Sequence, residues 1–324
     1  MAFSEKTVTT RVIAQSPSAI AEAGALIRAG QVVAFPTETV YGLGANALDD
    51  RAVSSIFEAK LRPRINPLIV HILDYEEAEE FVEFNRPAAA LAQTFWPGGV
   101  TLVLPRRATC PLSLLVSAGL DSAALRAPAH PVARELLRAA RVPIAAPSAN
   151  LSGSISPTAA AHALIELDGT VPMILDGGSC QVGLESTIIG FDGDDPVLLR
   201  KGAVTREEIQ RVIGPIGKPD SDELRAPGMM ASHYAPKAQI RLNASSVEGH
   251  EALLAFGRPL PAGGIPTLNL SPSGDLTEAA SNLFSMLRTL DHSGARQIAV
   301  MPIPDTGLGE AINDRLARAA APRD

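Results

Sequence analysis

Aromatic residues are scarce in this chain, and so are cysteines, long apolar runs and surplus positive charge. Phe, Trp and Tyr make up 4% of 324 residues, which leaves the core to Ala, Leu, Val and Ile. The two cysteines, Cys110 and Cys180, stand far apart and read as reduced thiols rather than a disulfide or a metal site. No apolar run approaches the ~20 residues that a membrane-spanning helix needs. The opening MAFSEKTVTTRVI lacks the layout of a signal peptide, so the cytoplasm is the expected compartment. Against 28 Lys and Arg stand 35 Asp and Glu, a net charge of −7. That balance argues against a protein whose main task is to grip nucleic acid through a basic surface, while leaving room for a local cationic pocket. A Walker loop is missing too: the Gly217-Lys218 pair is followed by Pro219. Any nucleotide must be held by dispersed cations, hydroxyls and backbone amides. No Ser/His/Asp or Cys/His set stands out either, so covalent catalysis has no visible carrier.

What is present is a chain with 46% hydrophobic residues, long enough for two domains and able to bury roughly three-quarters of its unfolded surface. The stretch from Gln31 to Leu73 organises it. Val32 to Phe35 reads as a buried strand stopped by Pro36. A hydroxyl-rich turn follows, with Thr37 and Thr39 around Glu38, and Gly42 and Gly44 permit tight backbone. Asp49-Asp50 caps a helix from about Arg51 to Lys60. Three cations in five residues come next, Lys60, Arg62 and Arg64, kept out of helix by Pro63 and Pro67, and then a second buried strand, 68–72. Hydroxyls after one strand and a rigid cationic loop before the next suit an anionic substrate; a βαβ unit with solvated arginines is the bland alternative.

Further along, the pattern predicts an edge strand at 7–13 and a helix from Ser16-Pro17 to Ala29, stopped by Gly30. An acidic helix from Tyr75 to Phe84 and another from Pro87 to Phe95 precede strands at 101–104 and 121–126. A helix from Pro131 to Ala140, a strand at 144–146 and a helix begun by Ser156 and running from Pro157 to Leu167 follow. Strands at 172–175, 186–191 and 196–200 and a helix at 205–213 complete a mixed α/β catalytic domain, residues 1–213. Pro and Gly crowd residues 214–237, the linker. Residues 238–324 read as βαβαβα, a smaller Rossmann-like three-layer domain with helices near 247–255, 275–290 and 309–320. Its Gly307-Leu308-Gly309 lacks the third glycine of a dinucleotide fingerprint, so no nucleotide is expected there.

The segments PTETVYGLGA and K-x-R-P-x-x-N-P-L-I-V-H resemble the YrdC-like family of threonylcarbamoyl-AMP synthases. The likeness continues through WPGGVTLVL (96–104), ALRAPAHP (124–131), PIAAPSANLSGSISPTAA (143–160), DGGSCQVGLESTII (176–189) and LLRKGAVT (198–205) to APGMMASHYAPKA (226–238), which is typical of two-domain members. Leu61 departs from the usual Gly between the Lys and the Arg, and Lys201 from the usual Pro after the Arg. The resemblance implies a twisted mixed sheet with a concave site, and a reaction of ATP, L-threonine and bicarbonate or CO2. The product would be threonylcarbamoyl-AMP and diphosphate, the first step in threonylcarbamoylation of adenosine in tRNA. Mg²⁺ would arrive with ATP, no protein metal ligands are expected, and a separate transferase would act on tRNA.

By the same resemblance Lys60, Arg62, Ser148 and Asn150 form a polar tetrad around the phosphates, and Asn66, Ser122, Ser156 and Arg200 match further ATP-contacting positions. Thr39, His71, Arg126, the backbone of Ala146, and Ser186 match the threonine pocket. Arg126 can bind a carboxylate in bidentate fashion. Each has a plainer reading: a Ser/Asn-stabilised turn for 148–150, a surface arginine for Arg200, a satisfied core histidine for His71. Tyr234 either closes the site over the nucleotide or docks one domain on the other. A non-catalytic double-stranded RNA or tRNA-binding module is the rival function, and weak direct contact with tRNA stays open. An enzyme using the same cradle for carbamoyl phosphate is a further rival, without the zinc-finger and acylphosphatase parts such chains carry.

Overall fold

The computed structural model describes residues 9–218, 226–227 and 233–322; residues 7–8 of the expected edge strand and much of the 214–237 linker lie outside them. Strand β1 (Arg11–Ala14) leads into helix α1 (Pro17–Arg28), whose Ser16 cap accepts from the Ala19 N–H. Strand β2 (Val33–Phe35) is followed by β3 (Gly42–Asn46), then α2 (Asp50–Lys60), capped by Asp49, and β4 (Ile69–His71). Next come α3 (Tyr75–Ala78), α4 (Arg86–Phe95), β5 (Val100–Pro105), β6 (Ser122–Arg126), α5 (Pro131–Ala140) and β7 (Ile144–Ala145). The first unit closes with α6 (Ala160–Leu167), β8 (Met173–Asp176), β9 (Thr187–Asp192), β10 (Asp195–Arg200) and α7 (Arg206–Ile213), the last begun by a Thr205/Glu208 capping box.

These strands form one mixed sheet in the order β1-β8-β2-β3-β7-β4-β6-β5-β9-β10. β4 runs parallel to β6 with His71 beside Arg126, and antiparallel to β7. Because side chains alternate across a strand, Ile69 and His71 share a face with Ala124 and Arg126. Ile69, Val103, Ala124, Ile188, Val197 and Leu199 form an apolar floor on the sheet, covered in part by Ala226.

Three local expectations give way to tertiary packing. Gly42–Asn46 is a strand antiparallel to β2, so β2 and β3 form a hairpin instead of opening a βαβ unit. A Cβ on Gly44 would stand 2.7 Å from both Phe35 and Ile144, so its smallness serves close packing rather than a turn. The acidic helix stops at Ala78, because Phe81 and Val82 turn into the core and Val82 bridges Arg106. Helix α6 starts only at Ala160, since Pro157 accepts from the Tyr41 N–H and Ser156 is drawn to Glu185 instead of capping. Leu61, in the position usually held by Gly, adopts a left-handed φ of 50° and keeps its side chain in solvent.

The C-terminal unit consists of β11 (Gln239–Arg241), β12 (Ala252–Ala255), β13 (Thr267–Asn269), α8 (Leu276–His292), β14 (Gln297–Val300) and α9 (Leu308–Ala320). Its parallel sheet has the order β11-β14-β12-β13. The helix expected at 247–255 is instead strand β12: a short apolar run has no decisive period, and here it is buried between two neighbouring strands. Leu254, Ile298 and Val300 share a core with α8 and α9, and Val40, Ile155 and Leu184 of the first unit belong to the same cluster. Contact is close: a Cβ on Gly183 would come within 2.5 Å of the Ala280 carbonyl.

Candidate active site

The residues that matter gather where strands end. The turn after β2 supplies Thr37 and Thr39; β4 ends on His71, β6 on Arg126 and β10 on Arg200; the chain leaving β7 supplies Ala146, Pro147 and Ser148. Together with Arg62, Glu185, Ser186, Pro227, His233 and Tyr234 these line one cavity over the sheet, open at its rim. Strand ends leave backbone groups and loop side chains free to converge, the usual place for ligands in α/β sheets.

At one end Arg126, 4% exposed, donates to the Gly98 carbonyl at 3.0 Å, to Thr39 Oγ1 at 2.9 Å and to Glu38 Oε1 at 2.6 Å. Glu38 also accepts the N–H groups of Ala129 and His130. Burial alone would raise the Glu38 carboxyl; Arg126 outweighs it and holds the group below its ordinary 4.5. His71 is buried and neither ring nitrogen has a hydrogen-bond partner among the described residues. Burial, with the Arg126 charge added, pushes the His71 pKa down to about 3, so the imidazole is neutral at pH 7. Ser186 Oγ lies 2.7 Å from Thr101 Oγ1 and accepts from Arg200. The Ala146 N–H is taken by the Ile69 carbonyl.

The other end is cationic. Lys60, 1% exposed, donates from Nζ to the carbonyls of Ser148 and Asn150. Burial, and then Arg62, holds this ammonium well below an ordinary lysine. Arg62 donates to the Asn66 and Pro67 carbonyls, and burial brings it down to about 10, still charged at pH 7. Arg200 donates to the Ser186 and Pro227 carbonyls. Among the described residues, none of these three buried cations has a carboxylate partner. An unpaired buried charge is costly, and such clusters mark places where an anion completes the balance.

Of the residues singled out from sequence, Thr39, Arg62, His71, Arg126, Ala146, Ser148, Ser186, Arg200 and Tyr234 line the cavity. Lys60 and Asn150 stand behind Ser148, and the Asn150 amide bonds within its own turn, to the Leu151 and Ser154 carbonyls. Asn66 is buried beside Arg62; Ser156 lies behind Glu185, to which its hydroxyl donates. Ser122 stands on the face of β6 that carries Arg126, but at the strand's opposite end. Sequence reading missed the partnership of Glu38 with Arg126, and that of Glu185 with Arg315, which are separated by 130 positions. Among the described residues no group of three His, Cys, Asp or Glu side chains could hold a metal, and both nearby carboxylates are taken by arginines. Among the described residues the site thus offers no ligand set for a resident divalent ion.

The two buried carboxylates carry a pH dependence. Glu185, like Glu38, sits below its ordinary 4.5: burial would raise it, but Arg315 and then Arg200 pull it down. A carboxylate whose folded pKa lies below the unfolded one contributes stability above the unfolded value and loses it as pH falls through the folded value. Urea unfolding should thus give a stability that declines as pH falls below about 6.5, where the unfolded chain protonates His71 and the folded one does not, and that falls more steeply below 4.5, this lower limb being shallower in Glu38→Gln. An unchanged slope in that variant would remove Glu38 as a source.

Comparison with known proteins agrees with this geometry. Residues 25–202 match the family model described as "Telomere recombination", and residues 204–321 match "Threonylcarbamoyl-AMP synthase, C-terminal domain". The threonylcarbamoyl-AMP synthase of Bacillus subtilis is 43% identical over 336 residues, covering 98% of this chain and 96% of that one. That of Pyrococcus abyssi is 42% identical, with 93% and 94% covered. The crystal structure of P. abyssi Sua5 complexed with L-threonine superposes with a TM-score of 0.87 at 38% identity, covering 97% of both chains. E. coli YciO shares the fold over 60% of this chain, with a TM-score of 0.55 at 24% identity. With both units matched in order and near-complete coverage, the chain belongs to the threonylcarbamoyl-AMP synthase family.

Proposed function

We propose that this protein is an L-threonylcarbamoyladenylate synthase, a nucleotidyltransferase that joins L-threonine, bicarbonate or CO2, and ATP, and releases diphosphate. One observation carries the reading: Arg62 and Arg200 line, and Lys60 backs, a cavity with an apolar floor and an Arg126/Thr39 pocket, and among the described residues none of the three buried cations has a carboxylate partner. The floor suits adenine, with Ser122 at its far end; Lys60, Arg62 and Arg200 suit the phosphates; Ser148 and Asn150 shape the phosphate turn, Asn66 orients Arg62, and Ser156 acts through Glu185. The Arg126 guanidinium suits the amino-acid carboxylate, and the naming of the P. abyssi complex with L-threonine supports that substrate.

In this scheme the threonine amine adds to CO2 and loses a proton, and a carbamate oxygen then attacks the α-phosphorus as diphosphate leaves. Two unit charges at 4 Å repel by about 4 kcal/mol at an effective dielectric of 20, so the fixed cations lower the barrier by offsetting that repulsion. Their charge is pre-positioned and needs no reorganisation. His71 is too weak a base at about 3 to keep a proton; the one ring nitrogen that carries no hydrogen in the neutral imidazole serves as a hydrogen-bond acceptor for the amino group, together with the Ala146 carbonyl and the Ser186 hydroxyl. Mg²⁺ enters as part of the MgATP substrate. We read 1–213 as the catalytic domain, 214–237 as a linker bearing Tyr234 over the cavity, and 238–324 as its buttress. The product passes to a separate transferase acting on tRNA in the cytoplasm.

The test is diphosphate release from MgATP with threonine and bicarbonate each supplied or omitted. Release should require both. Release without threonine would mean a different acceptor, and no release in any mixture, beside salt-sensitive tRNA binding, would favour an RNA-binding module.

A further inference from the structure

Among the described residues Glu185 is the carboxylate that lines the cavity, and a cavity for a polyanion should not contain one. It is nearly buried, so water does not screen it. What offsets it comes from the other unit. Arg315, on α9 and fully buried, donates from Nε to Glu185 Oε2 at 2.8 Å and from Nη2 to the Lys201 carbonyl at 2.8 Å. Its Nη1 is held by Asp314 at 2.6 Å, and its guanidinium lies 5.2 Å from the centre of the Tyr234 ring. That ring stacks on Phe284 of α8, 5.5 Å between centroids, so Tyr234 is seated on the C-terminal unit while it faces the cavity. The second Glu185 oxygen accepts from Ser156 Oγ at 2.5 Å.

We propose that Arg315 is a positioning residue of the nucleotide site: by neutralising Glu185 it keeps the cavity cationic, so the C-terminal unit takes part in ATP binding electrostatically. This rests on the reading of the cavity as an ATP site. The chain of contacts runs from α9 through Glu185 to Ser156, with Arg200 close enough to share the carboxylate's field. Removing Arg315 strands a buried negative charge where phosphates must come, whereas removing both members of the pair does not. A purely structural Arg315 would change folding in both cases and ligand affinity in neither.

The probe is the α,β-methylene analogue of ATP, which binds without turning over, titrated calorimetrically into the full chain beside thermal unfolding. In Arg315→Met the analogue should bind about 100-fold more weakly. Arg315→Lys, which keeps the charge, and the Glu185→Gln/Arg315→Met double variant should both lie within about fivefold of wild type, roughly 1 kcal/mol. In turnover, the KM for ATP should rise in Arg315→Met while the KM for threonine changes less than about twofold, because the Arg126 pocket is untouched. If Arg315→Met does not fold, Glu185→Gln alone decides: it should bind the analogue at least as tightly as wild type. Wild-type affinity in Arg315→Met, a double variant as weak as the single one, or a tenfold loss in Glu185→Gln would each overturn the proposal. Failure of the wild type to bind the analogue would instead sink the ATP-site reading.

Discussion

Lys60→Ala and Arg62→Ala are each expected to lower diphosphate release by about 10²–10³-fold at saturating threonine, the range seen when one pre-positioned stabilising donor is removed. For Lys60 the effect has two parts. Its ammonium supplies charge to the phosphate end, and its two hydrogen bonds hold the Ser148 and Asn150 carbonyls, hence the turn that faces the cavity. Stability should behave differently from activity. A lysine whose folded pKa lies far below its unfolded value destabilises the folded state at neutral pH, since the unfolded chain binds the proton more readily. Lys60→Met removes that burden at the loss of two hydrogen bonds. Its melting temperature should stay within about 5 °C of wild type while turnover collapses. Full turnover in either alanine variant, with the fold intact, would end the assignment of these cations to the reaction.

Arg126→Met is expected to be damaging on both counts. The guanidinium bridges Thr39, Glu38 and the Gly98 carbonyl, and its loss leaves Glu38 charged, largely buried and without a cation. Breaking one side of a buried pair costs about 3–5 kcal/mol, read from urea or thermal unfolding. The KM for threonine should rise about 100-fold, because a bidentate, charge-assisted partner for the carboxylate is gone. The double variant Glu38→Gln/Arg126→Met separates the two effects. Stability should largely return, because the stranded charge is neutral; threonine affinity should not. Recovery of both would show that Arg126 acts only by holding the loop, and recovery of neither would place the damage in the Gly98 contact.

Local pattern carried much of the fold. Ser16-Pro17 and Asp49 each mark a helix start, because a cap needs only a side-chain oxygen within one turn of the orphan N–H groups. Buried strands announced themselves as short apolar runs, as at 33–35 and 69–71. The same criterion failed at 252–255, where ALLA suits helix or strand and only β13 and β14 on either side decide. It failed at Phe81 and Val82 as well, where burial of two large side chains outweighed a favourable acidic helix. The cations 60, 62 and 126 were visible as residue types in a motif; which of them would be unpaired was not.

By itself, the sequence determined the one-dimensional quantities: helix caps, apolar strands, the absence of a Walker loop, and a motif order that assigns the family. These depend on a few neighbouring residues and survive without a fold. Only the tertiary structure decided the electrostatics. It paired Arg126 with Glu38 across 88 positions and Arg315 with Glu185 across 130, and among the described residues it left Lys60 and Arg62 with carbonyls and Arg200 with carbonyls and the Ser186 hydroxyl. A charge's worth depends on its burial and on who stands within a few ångströms, and neither is encoded in the spacing of residues along the chain.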